Sequence, residues 1–348
     1  MNTDRFKIGI IGAGKNTREK HIPGLRALEG VEIVSVCNRT LESSSRVAKE
    51  FDIPQVYENW TDLVSAGDTN AIVIGTWPYM HCPITLASLE AGKHVLCEAR
   101  MAMDASQAKR MYAASLLKPH LVAQVVPSPH TLHVDGTIKK MLNDGYLGEI
   151  LAIEARIHRN DFVDKESPLH WRQDAEFSGL NIMSLGIWYE ALMRWVGEAT
   201  CVEAMGKTFI KMRRDQRTGE LKAIKIPEHL NVLAEMACGA LASFSFSSIT
   251  GLIGEETINL FGSQGTLSLR NGKLFAGKRG DERLTEIDLP VNLQGRWRVE
   301  EEFVNAIRGL EKITHTTFSD GLKYMQFTEA VARSLSEKRA ISLPLLGI

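Results

Sequence analysis

The sequence predicts an α/β fold, with a doubly wound parallel-sheet domain over residues 1–122 and an α+β domain with a mainly antiparallel sheet over residues 123–348. In the first third, short apolar runs alternate with stretches that have helical spacing of apolar residues. After about residue 125, apolar and polar residues alternate one by one between glycine-containing turns. The length of 348 residues also fits about two domains.

The first domain contains predicted strands that are almost entirely apolar, which is typical of strands buried on both faces. Helix-like stretches over Leu41–Phe51, Ile84–Glu90 and Ser106–Leu116 lie between them. This repetition favours right-handed crossovers and a parallel sheet. The predicted strands are Phe6–Ile11, Val31–Cys37, Ala71–Gly75, His94–Cys97 and Leu121–Val126.

The second domain shows single-residue alternation in the segments 151–158, 243–247, 257–260 and 266–269. Such alternation indicates an antiparallel sheet with one covered face. Helices are predicted over Leu180–Val196 and Arg298–Leu310. In the first of these, Glu190 and Arg194 are spaced as an exposed i,i+4 pair, worth only a few tenths of a kcal/mol.

Composition excludes several classes of partner. The 41 basic and 42 acidic residues give a net charge of −1, so we expect no nucleic-acid partner. No apolar run reaches the length of a membrane span, and Met1–Arg5 lacks the order of a signal peptide, so no membrane partner is expected. The five scattered cysteines fit reduced thiols, and we expect cytoplasmic residence.

A glycine-rich turn, Gly12-Ala13-Gly14, follows the first predicted strand. Gly12 permits a tight turn, Gly14 lets the backbone approach a pyrophosphate, and the following helix start favours anions. Thr17 replaces the third glycine of the full fingerprint. Because strand, turn and helix keep the required order, the segment predicts dinucleotide binding rather than a turn without a ligand.

The end of the second strand indicates which dinucleotide is bound. A site for NAD usually has an acidic residue there for the ribose hydroxyls. Asn38 is neutral and Arg39 is cationic, and a guanidinium attracts a 2′-phosphate. We therefore expect NADP, with NAD as the alternative. In the plainer interpretation, Arg39 is only a solvent-exposed surface residue.

Two further segments, Thr76–His81 and Leu89–Arg100, make the sequence resemble the glucose–fructose oxidoreductase / inositol dehydrogenase / rhizopine-catabolism (Gfo/Idh/MocA) family. The resemblance extends to Ser178-Gly179, Leu260–Thr266 and Asp320–Pro344. It implies a Rossmann domain followed by a domain with a large open-faced sheet. It also implies hydride transfer between NAD(P) and a sugar, polyol or related carbonyl compound, in a homodimer or homotetramer.

The catalytic groups that the resemblance would supply are absent. The family's Glu-Lys-Pro motif is Glu98-Ala99-Arg100 in this chain, and alanine cannot donate or accept the proton that the lysine handles. The family's Asp and His, four residues apart on one helix, are Ser184 and Trp188. A positioned general acid or base contributes ~10²–10⁴ in rate, so another group must act if hydride transfer persists.

The candidates for that group are His158, His170 and Arg172, and we expect no metal site, because His130-x-x-His133 lacks a nearby third ligand. The substrate pocket is expected to contain Arg100, Gln124, Arg156, His158, Ser184 and Trp188. The motifs and the resemblance together predict cofactor contacts from Gly12, Gly14, Lys15, Asn16, Thr17, Asn38, Arg39, Thr76, Trp77, His81, Glu98, Ala99, Trp171 and Arg172.

Several of these residues have alternative interpretations. His81 could cap the following helix, Trp188 could be ordinary core, and Arg156 and His158 could face a subunit interface on the open sheet. For the whole protein, the first hypothesis is an NADP(NAD)-dependent oxidoreductase with a non-standard proton donor. A lyase or hydrolase that uses a tightly bound nicotinamide for transient oxidation is the second, and a catalytically inactive dinucleotide-sensing protein is the third.

Overall fold

The structure is a computed structural model that describes residues 5–347. The described chain forms two compact units. The first unit comprises the chain up to Pro127 together with Arg298–Met325, and the second comprises Ser128–Trp297 and the chain from Gln326 onward. The sequence predicts a single boundary at residue 122. The return of residues 298–325 to the first unit depends on long-range packing and has no local sequence signal.

The first unit is built on a six-stranded parallel sheet with the order β3-β2-β1-β4-β5-β6. The order reverses between β1 and β4, which is where Rossmann sheets bind dinucleotides. The predicted α/β class is confirmed. The strands are β1 Phe6–Ile11, β2 Val31–Cys37, β3 Gln55–Val56, β4 Ala71–Ile74, β5 His94–Cys97 and β6 Ala123–Val125.

Five helices lie between these strands. The hydroxyl of Thr40 accepts a hydrogen bond from Ser43 N at the start of α2, and Asp104 accepts one from Gln107 N at the start of α5. Such caps satisfy amides that have no partner within the helix. A π-helical turn, Thr17–His21, leads into α1. The helices are α1 Ile22–Arg26, α2 Leu41–Glu50, α3 Trp60–Ser65, α4 Pro78–Glu90 and α5 Ala105–Leu116.

The second unit contains a nine-stranded sheet with the order β16-β15-β14-β13-β7-β12-β11-β8-β17, and a separate hairpin of β9 and β10. Among the pairs in the described nine-stranded sheet, β7 with β12 is parallel and the others are antiparallel. The strands are β7 Ile150–His158, β8 Ala199–Lys207, β9 Met212–Arg214, β10 Leu221–Ala223, β11 His229–Met236, β12 Leu241–Ser247, β13 Glu255–Gly262, β14 Gly265–Arg270, β15 Lys273–Lys278, β16 Thr285–Glu286 and β17 Ile341–Ser342.

The remaining helices follow in chain order. The predicted helix over Leu180–Val196 begins only at Leu185, since Met183 has a φ of 44°, outside the helical region. The last helix runs through the division between the units at Met325. The helices are α6 Leu132–Asn143, α7 Ala175–Ser178, α8 Leu185–Val196, α9 Val299–Ile307 and α10 Phe318–Glu337.

One face of the nine-stranded sheet is covered and the other is open. On the covered face, Phe327 of α10 stacks on Tyr189 of α8 at 3.6 Å between ring centroids and meets Phe244 edge-on. On the open face, Met205, Leu233 and Leu241 are 76%, 54% and 58% exposed. The alternation of buried and exposed residues along β11 follows directly from this arrangement.

Candidate functional site

The turn after β1 has the geometry of a phosphate-binding loop. Gly12 has a φ of +88°, and a Cβ there would lie 2.5 Å from the backbone nitrogen of Thr76. A Cβ at Gly14 would meet only the carbonyl oxygen of Gly75, at 3.6 Å. Gly12 is therefore required by the fold, whereas Gly14 keeps the backbone accessible to a bound group. Lys15 is exposed, and the buried Thr17 donates from its hydroxyl to the carbonyl of Gly12.

Asn38, at the end of β2, stabilises this loop through hydrogen bonds of its side chain. Its Oδ1 accepts a hydrogen bond from Ala13 N at 2.7 Å, and its Nδ2 donates to the hydroxyl of Ser43 at 3.0 Å. The amide of Gly12 donates to the carbonyl of Cys37 at 2.8 Å. The side chain of Asn38 is thus used within the protein, and the exposed guanidinium of Arg39 is the charged group beside it.

These residues border a cleft with a cavity volume of about 240 Å³. None of its lining residues is acidic, and the guanidinium carbon of Arg39 lies 5.8 Å from the ring centroid of Trp77. The buried hydroxyl of Thr76 has no hydrogen-bond partner within the described protein. The glycines, the accessible loop backbone and this unsatisfied hydroxyl fit a dinucleotide. The lining residues are Gly12, Ala13, Gly14, Asn38, Arg39, Ser43, Gly75, Thr76, Trp77 and Tyr79.

A buried histidine lies between two carboxylates near the same edge of the sheet. His21 Nδ1 is 2.5 Å from Glu300 Oε1, and His21 Nε2 is 3.0 Å from Glu98 Oε1. Burial alone would lower the pKa of His21, but its hydrogen bonds to Glu300 and Glu98 outweigh burial and raise the pKa to about 9. Burial opposes ionisation of Glu98, yet the hydrogen bonds from His21 and Asn16 lower its pKa. The side-chain amide of Asn16 donates a hydrogen bond to Glu98 and so connects the glycine-rich loop to this group of residues.

Other predicted site residues of the first unit are buried in internal contacts. The ring nitrogens of His81 lie 2.9 Å and 3.0 Å from the carbonyl oxygens of Arg100 and Thr76, and burial lowers its pKa. His81 thereby joins the turns that follow β4 and β5. Gln124 is fully buried, and its Nε2 donates to Glu302 and to the carbonyl of His315. Arg100 is 3% exposed.

The second unit brings Trp188 together with a histidine to which the sequence pattern assigns no role. Trp188, on α8, is 5% exposed and stacks on His130 with ring centroids 4.5 Å apart and an interplanar angle of 15°. Ser184 is the residue before the first turn of α8, and its carbonyl accepts from Trp188 N at 3.1 Å. The indole is therefore held rigidly by packing, as a core residue or the wall of a pocket would be.

Arg156 and His158 lie on the open face of the sheet. His158 Nε2 is 2.9 Å from the hydroxyl of Ser245, and its ring faces His229 across β12. Burial lowers the pKa of His158, and the charge of Arg156 adds to this effect. Since α8 covers the opposite face, the structure does not bring His158 together with Ser184 and Trp188.

A short 3-10 turn, Trp171–Gln173, contains the other candidates. The Nδ1 of His170 accepts a hydrogen bond from Arg172 N at 3.2 Å, which leaves the proton of the neutral ring on Nε2. The guanidinium of Arg172 lies 4.2 Å from the ring centroid of Trp171. His170 and Arg172 are exposed, and burial together with the charges of Arg172 and Arg159 lowers the pKa of His170.

Two features of the site could not be identified from the sequence. His21 follows the glycine-rich turn by one helical stretch, which is a weak signal, and Glu300 is 279 residues further along the chain. His130, the stacking partner of Trp188, stands out in the sequence only as a candidate metal ligand. His133, its supposed partner, lies 2.7 Å from the carbonyl of Gly272 through Nε2.

Two features are absent from residues 5–347. Within that range no helix has both the length and the apolar character needed to cross a bilayer. The same residues contain no cluster of three or more histidine, cysteine, aspartate or glutamate side chains arranged to hold a metal ion.

Comparison with known proteins defines the class. Residues 6–126 match the model of the oxidoreductase family with an NAD-binding Rossmann fold. Residues 136–268 match the GFO/IDH/MocA C-terminal domain. The chain therefore belongs to the Gfo/Idh/MocA oxidoreductase family, and the predicted family is confirmed.

Named relatives include an inositol 2-dehydrogenase of Klebsiella pneumoniae, 31% identical over 162 residues, which are 45% of this chain and 47% of the relative. A levoglucosan dehydrogenase of Pseudarthrobacter phenanthrenivorans is 27% identical over 180 residues, 51% of this chain and 46% of the relative. These matches span about half the length of the curated relatives.

Solved structures show that the fold is shared over nearly the whole chain. A levoglucosan dehydrogenase in complex with NADH and L-sorbose has a TM-score of 0.86 at 20% identity, covering 97% of this chain and 99% of the other. A WlbA dehydrogenase of Chromobacterium violaceum in complex with NADH and UDP-GlcNAcA has a TM-score of 0.82 at 17% identity, covering 99% and 98%.

Proposed function

We propose that this chain is an NADP-dependent oxidoreductase that transfers a hydride to or from a sugar, polyol or related carbonyl compound. The observation that carries the proposal is the cleft after β1, where Gly12, Gly14 and the unsatisfied hydroxyl of Thr76 fit a dinucleotide. The names of the relatives, inositol and levoglucosan dehydrogenases, support the substrate class. When bound, the nicotinamide supplies or accepts the hydride.

In this proposal the protein's own residues bind the cofactor and handle the proton. The loop amides near Gly14 bind the pyrophosphate, while Arg39 and Ser43 bind the 2′-phosphate. Ala99 has no proton to exchange, so another group must act on the reacting oxygen. We favour His170, because the Nε2–H of its neutral ring can donate to a carbonyl oxygen and polarise it. Arg172 would stabilise negative charge on that oxygen.

Deuteride transfer tests the function. The protein is mixed with NADPH deuterated at C4 and with a panel of ketoses and oxidised cyclitols, and the products are analysed by mass spectrometry. One deuteron should appear on the reduced carbon. Bound cofactor that catalyses elimination without net turnover would replace this proposal with a lyase or hydrolase. Cofactor binding with no transfer and no elimination would favour a dinucleotide sensor.

Arg39→Ala should reduce the preference for NADP. Loss of one charge-assisted phosphate contact is expected to weaken NADPH binding by about 10- to 30-fold, corresponding to roughly 1.5–2 kcal/mol. NADH binding should change less than about threefold, since NADH lacks the 2′-phosphate. Titration of wild type and variant with each cofactor gives the ratio of the dissociation constants of NADPH and NADH for each protein. An equal loss for both cofactors would remove Arg39 from phosphate recognition.

We further propose that the open face of the nine-stranded sheet pairs with a second copy of the chain, giving a homodimer or homotetramer. The face presents Met205, Leu233 and Leu241 beside polar residues. Leu233→Arg should shift the mass measured by light scattering toward the monomer, because the arginines of two facing copies would repel. A variant with the wild-type mass would exclude this face as the interface.

The proposal places the protein in the cytoplasm. All five cysteines are free, and Cys37, Cys82 and Cys97 are buried. Burial raises the pKa of each of these three thiols, so they resist ionisation and oxidation. Free thiols are typical of a reducing compartment.

A further inference from the structure

Three side chains, two of them buried and the third, Glu98, 15% exposed, share charge beside the proposed cofactor site, and we name them the His21 cluster. The cluster consists of His21, Glu98 and Glu300, with separations of 2.5 Å and 3.0 Å from the imidazole nitrogens to the carboxylates. With His21 protonated, two carboxylates and one imidazolium sum to one negative charge. Moving the proton from the ring to either carboxylate leaves the sum unchanged. The net charge therefore does not depend on where the proton lies.

The position of the cluster in the fold would place this charge near one end of a bound dinucleotide. Glu98 follows β5 directly, and Asn16 of the phosphate loop donates to it. A dinucleotide lies across the carboxyl edge of a Rossmann sheet, at the switch point. In this chain a bound NADP would have its 2′-substituted ribose beside Asn38 and Arg39, at the end of β2. Its nicotinamide half would then extend toward the ends of β4 and β5.

The residue that follows Glu98 contributes to the charge next to the cluster. A lysine at position 99, as in the family motif, would place an ammonium group next to Glu98. Ala99 supplies no charge, and its backbone amide donates to Glu98 Oε2 at 3.1 Å. The oxidised nicotinamide ring is cationic, whereas the reduced ring is neutral. A negative cluster at this position attracts only the oxidised ring.

We propose that the His21 cluster, with no lysine at position 99, makes the protein bind the oxidised nicotinamide cofactor in preference to the reduced one. The inference rests on the proposed cofactor, and it deepens the proposal by assigning the resting state of the site. His21 and Glu300 act through Glu98 and are positioning residues. The consequence is a protein that holds oxidised cofactor until a substrate donates a hydride.

A purely structural role predicts a different outcome. If the cluster only fastened α9 to the phosphate loop, any substitution would weaken both cofactors together and leave their ratio unchanged. An electrostatic role predicts that removing a carboxylate and removing the imidazolium change the ratio in opposite directions. The ratio of two dissociation constants therefore separates the two roles without any measurement of activity.

The experiment measures dissociation constants of NADP⁺ and NADPH by calorimetry on the full chain. At pH 6.5, Glu300→Gln removes one carboxylate while Glu98 still favours the protonated ring of His21, and the preference for NADP⁺ should fall on the order of tenfold. At pH 8.5, His21→Gln removes the imidazolium from between the two carboxylates, and the preference for NADP⁺ should rise by a similar factor. Ala99→Lys adds the missing ammonium and should act in the direction of Glu300→Gln. Each variant is compared with wild type at the same pH.

Glu302→Gln is the matched control. Glu302 is buried two residues from Glu300 in α9, and it accepts hydrogen bonds from Gln124 and Thr314 instead. In Glu302→Gln, the ratio of the dissociation constants of NADP⁺ and NADPH should stay within about twofold of the wild-type ratio.

If Glu300→Gln and His21→Gln shift this ratio in the same direction or leave it unchanged, the inference is wrong. If a cluster variant does not fold, Ala99→Lys still tests the inference, because position 99 is partly exposed. If wild type binds neither cofactor, the proposed function itself fails.

Discussion

Gly12→Ala is expected to raise the dissociation constant for the nicotinamide cofactor by about 100-fold or more, equivalent to roughly 2.7 kcal/mol. The backbone at Gly12 has a φ of +88°, which costs an L-residue roughly 1–2 kcal/mol. The added Cβ would lie 2.5 Å from Thr76 N and 2.7 Å from the carbonyl carbon of Gly75. Both are backbone atoms, so the loop must move, and the cleft loses its shape.

Two glycines provide the controls for this substitution. Gly92 has a φ of +75° with nothing within 4 Å of the position that a Cβ would occupy, so Gly92→Ala imposes backbone strain without a clash. It should lower stability slightly and leave cofactor affinity unchanged. Gly14→Ala has room in the protein, so its melting temperature should match wild type while cofactor binding weakens. Wild-type affinity in Gly12→Ala would contradict the assignment of the loop.

Arg194→Met is expected to lower the free energy of unfolding by about 3–5 kcal/mol, because it leaves two buried carboxylates without their cation. Arg194 lies 3.1 Å from Asp135 and 3.6 Å from Glu190, and all three side chains are at most 8% exposed. It also donates to the hydroxyl of Thr131 at 3.0 Å. The sequence-based prediction of an exposed pair worth a few tenths of a kcal/mol is wrong.

Urea denaturation of the variant measures this effect, and the chain offers a matched pair for comparison. Arg46 and Glu42 are also spaced i,i+4, at 2.9 Å, but their side chains are 70% and 85% exposed. Arg46→Met should change stability by less than about 0.5 kcal/mol. Equal effects of the two substitutions would show that the buried pair contributes no more than a surface pair.

The error over Arg194 has a physical origin. Helix α8, Leu185–Val196, is apolar over much of its circumference, with both Trp188 and Glu190 buried. Spacing of four residues shows that Glu190 and Arg194 share a face, but in such a helix it does not show which face meets solvent. Burial of the pair depends on α6, which supplies Asp135 from a distant part of the sequence.

Most of the fold was predictable because its signals are local. Strands β1, β2 and β5 have the predicted bounds, since mainly apolar runs bounded by glycine or polar residues define buried strands. The two-residue strands β3, β16 and β17 have too few residues to show a pattern. The return of Arg298–Met325 to the first unit rests on contacts such as that of Glu300 with His21. No periodicity within either segment indicates such a pairing.

The candidate site was also predictable only where its signals are local in the sequence. The phosphate loop and Asn38 follow from a local motif, and the structure places them around one cleft. The alanine at position 99 is visible in the sequence, but its consequence depends on Glu300, which only the folded chain brings near. His158 is a candidate by its residue type and its place beside Arg156. Alternate residues of β7 face opposite sides of the sheet, so His158 lies on the open face together with Arg156. The alternation in the sequence already contains this information.

Calorimetric titration of the purified chain with NADPH, and separately with NADH, shows whether this family member has a working nicotinamide site. We expect saturable binding of one cofactor per chain, with NADPH bound more tightly than NADH. Binding of NADH with equal or higher affinity would contradict the choice of cofactor. If neither cofactor binds saturably, the protein is not a nicotinamide-dependent oxidoreductase.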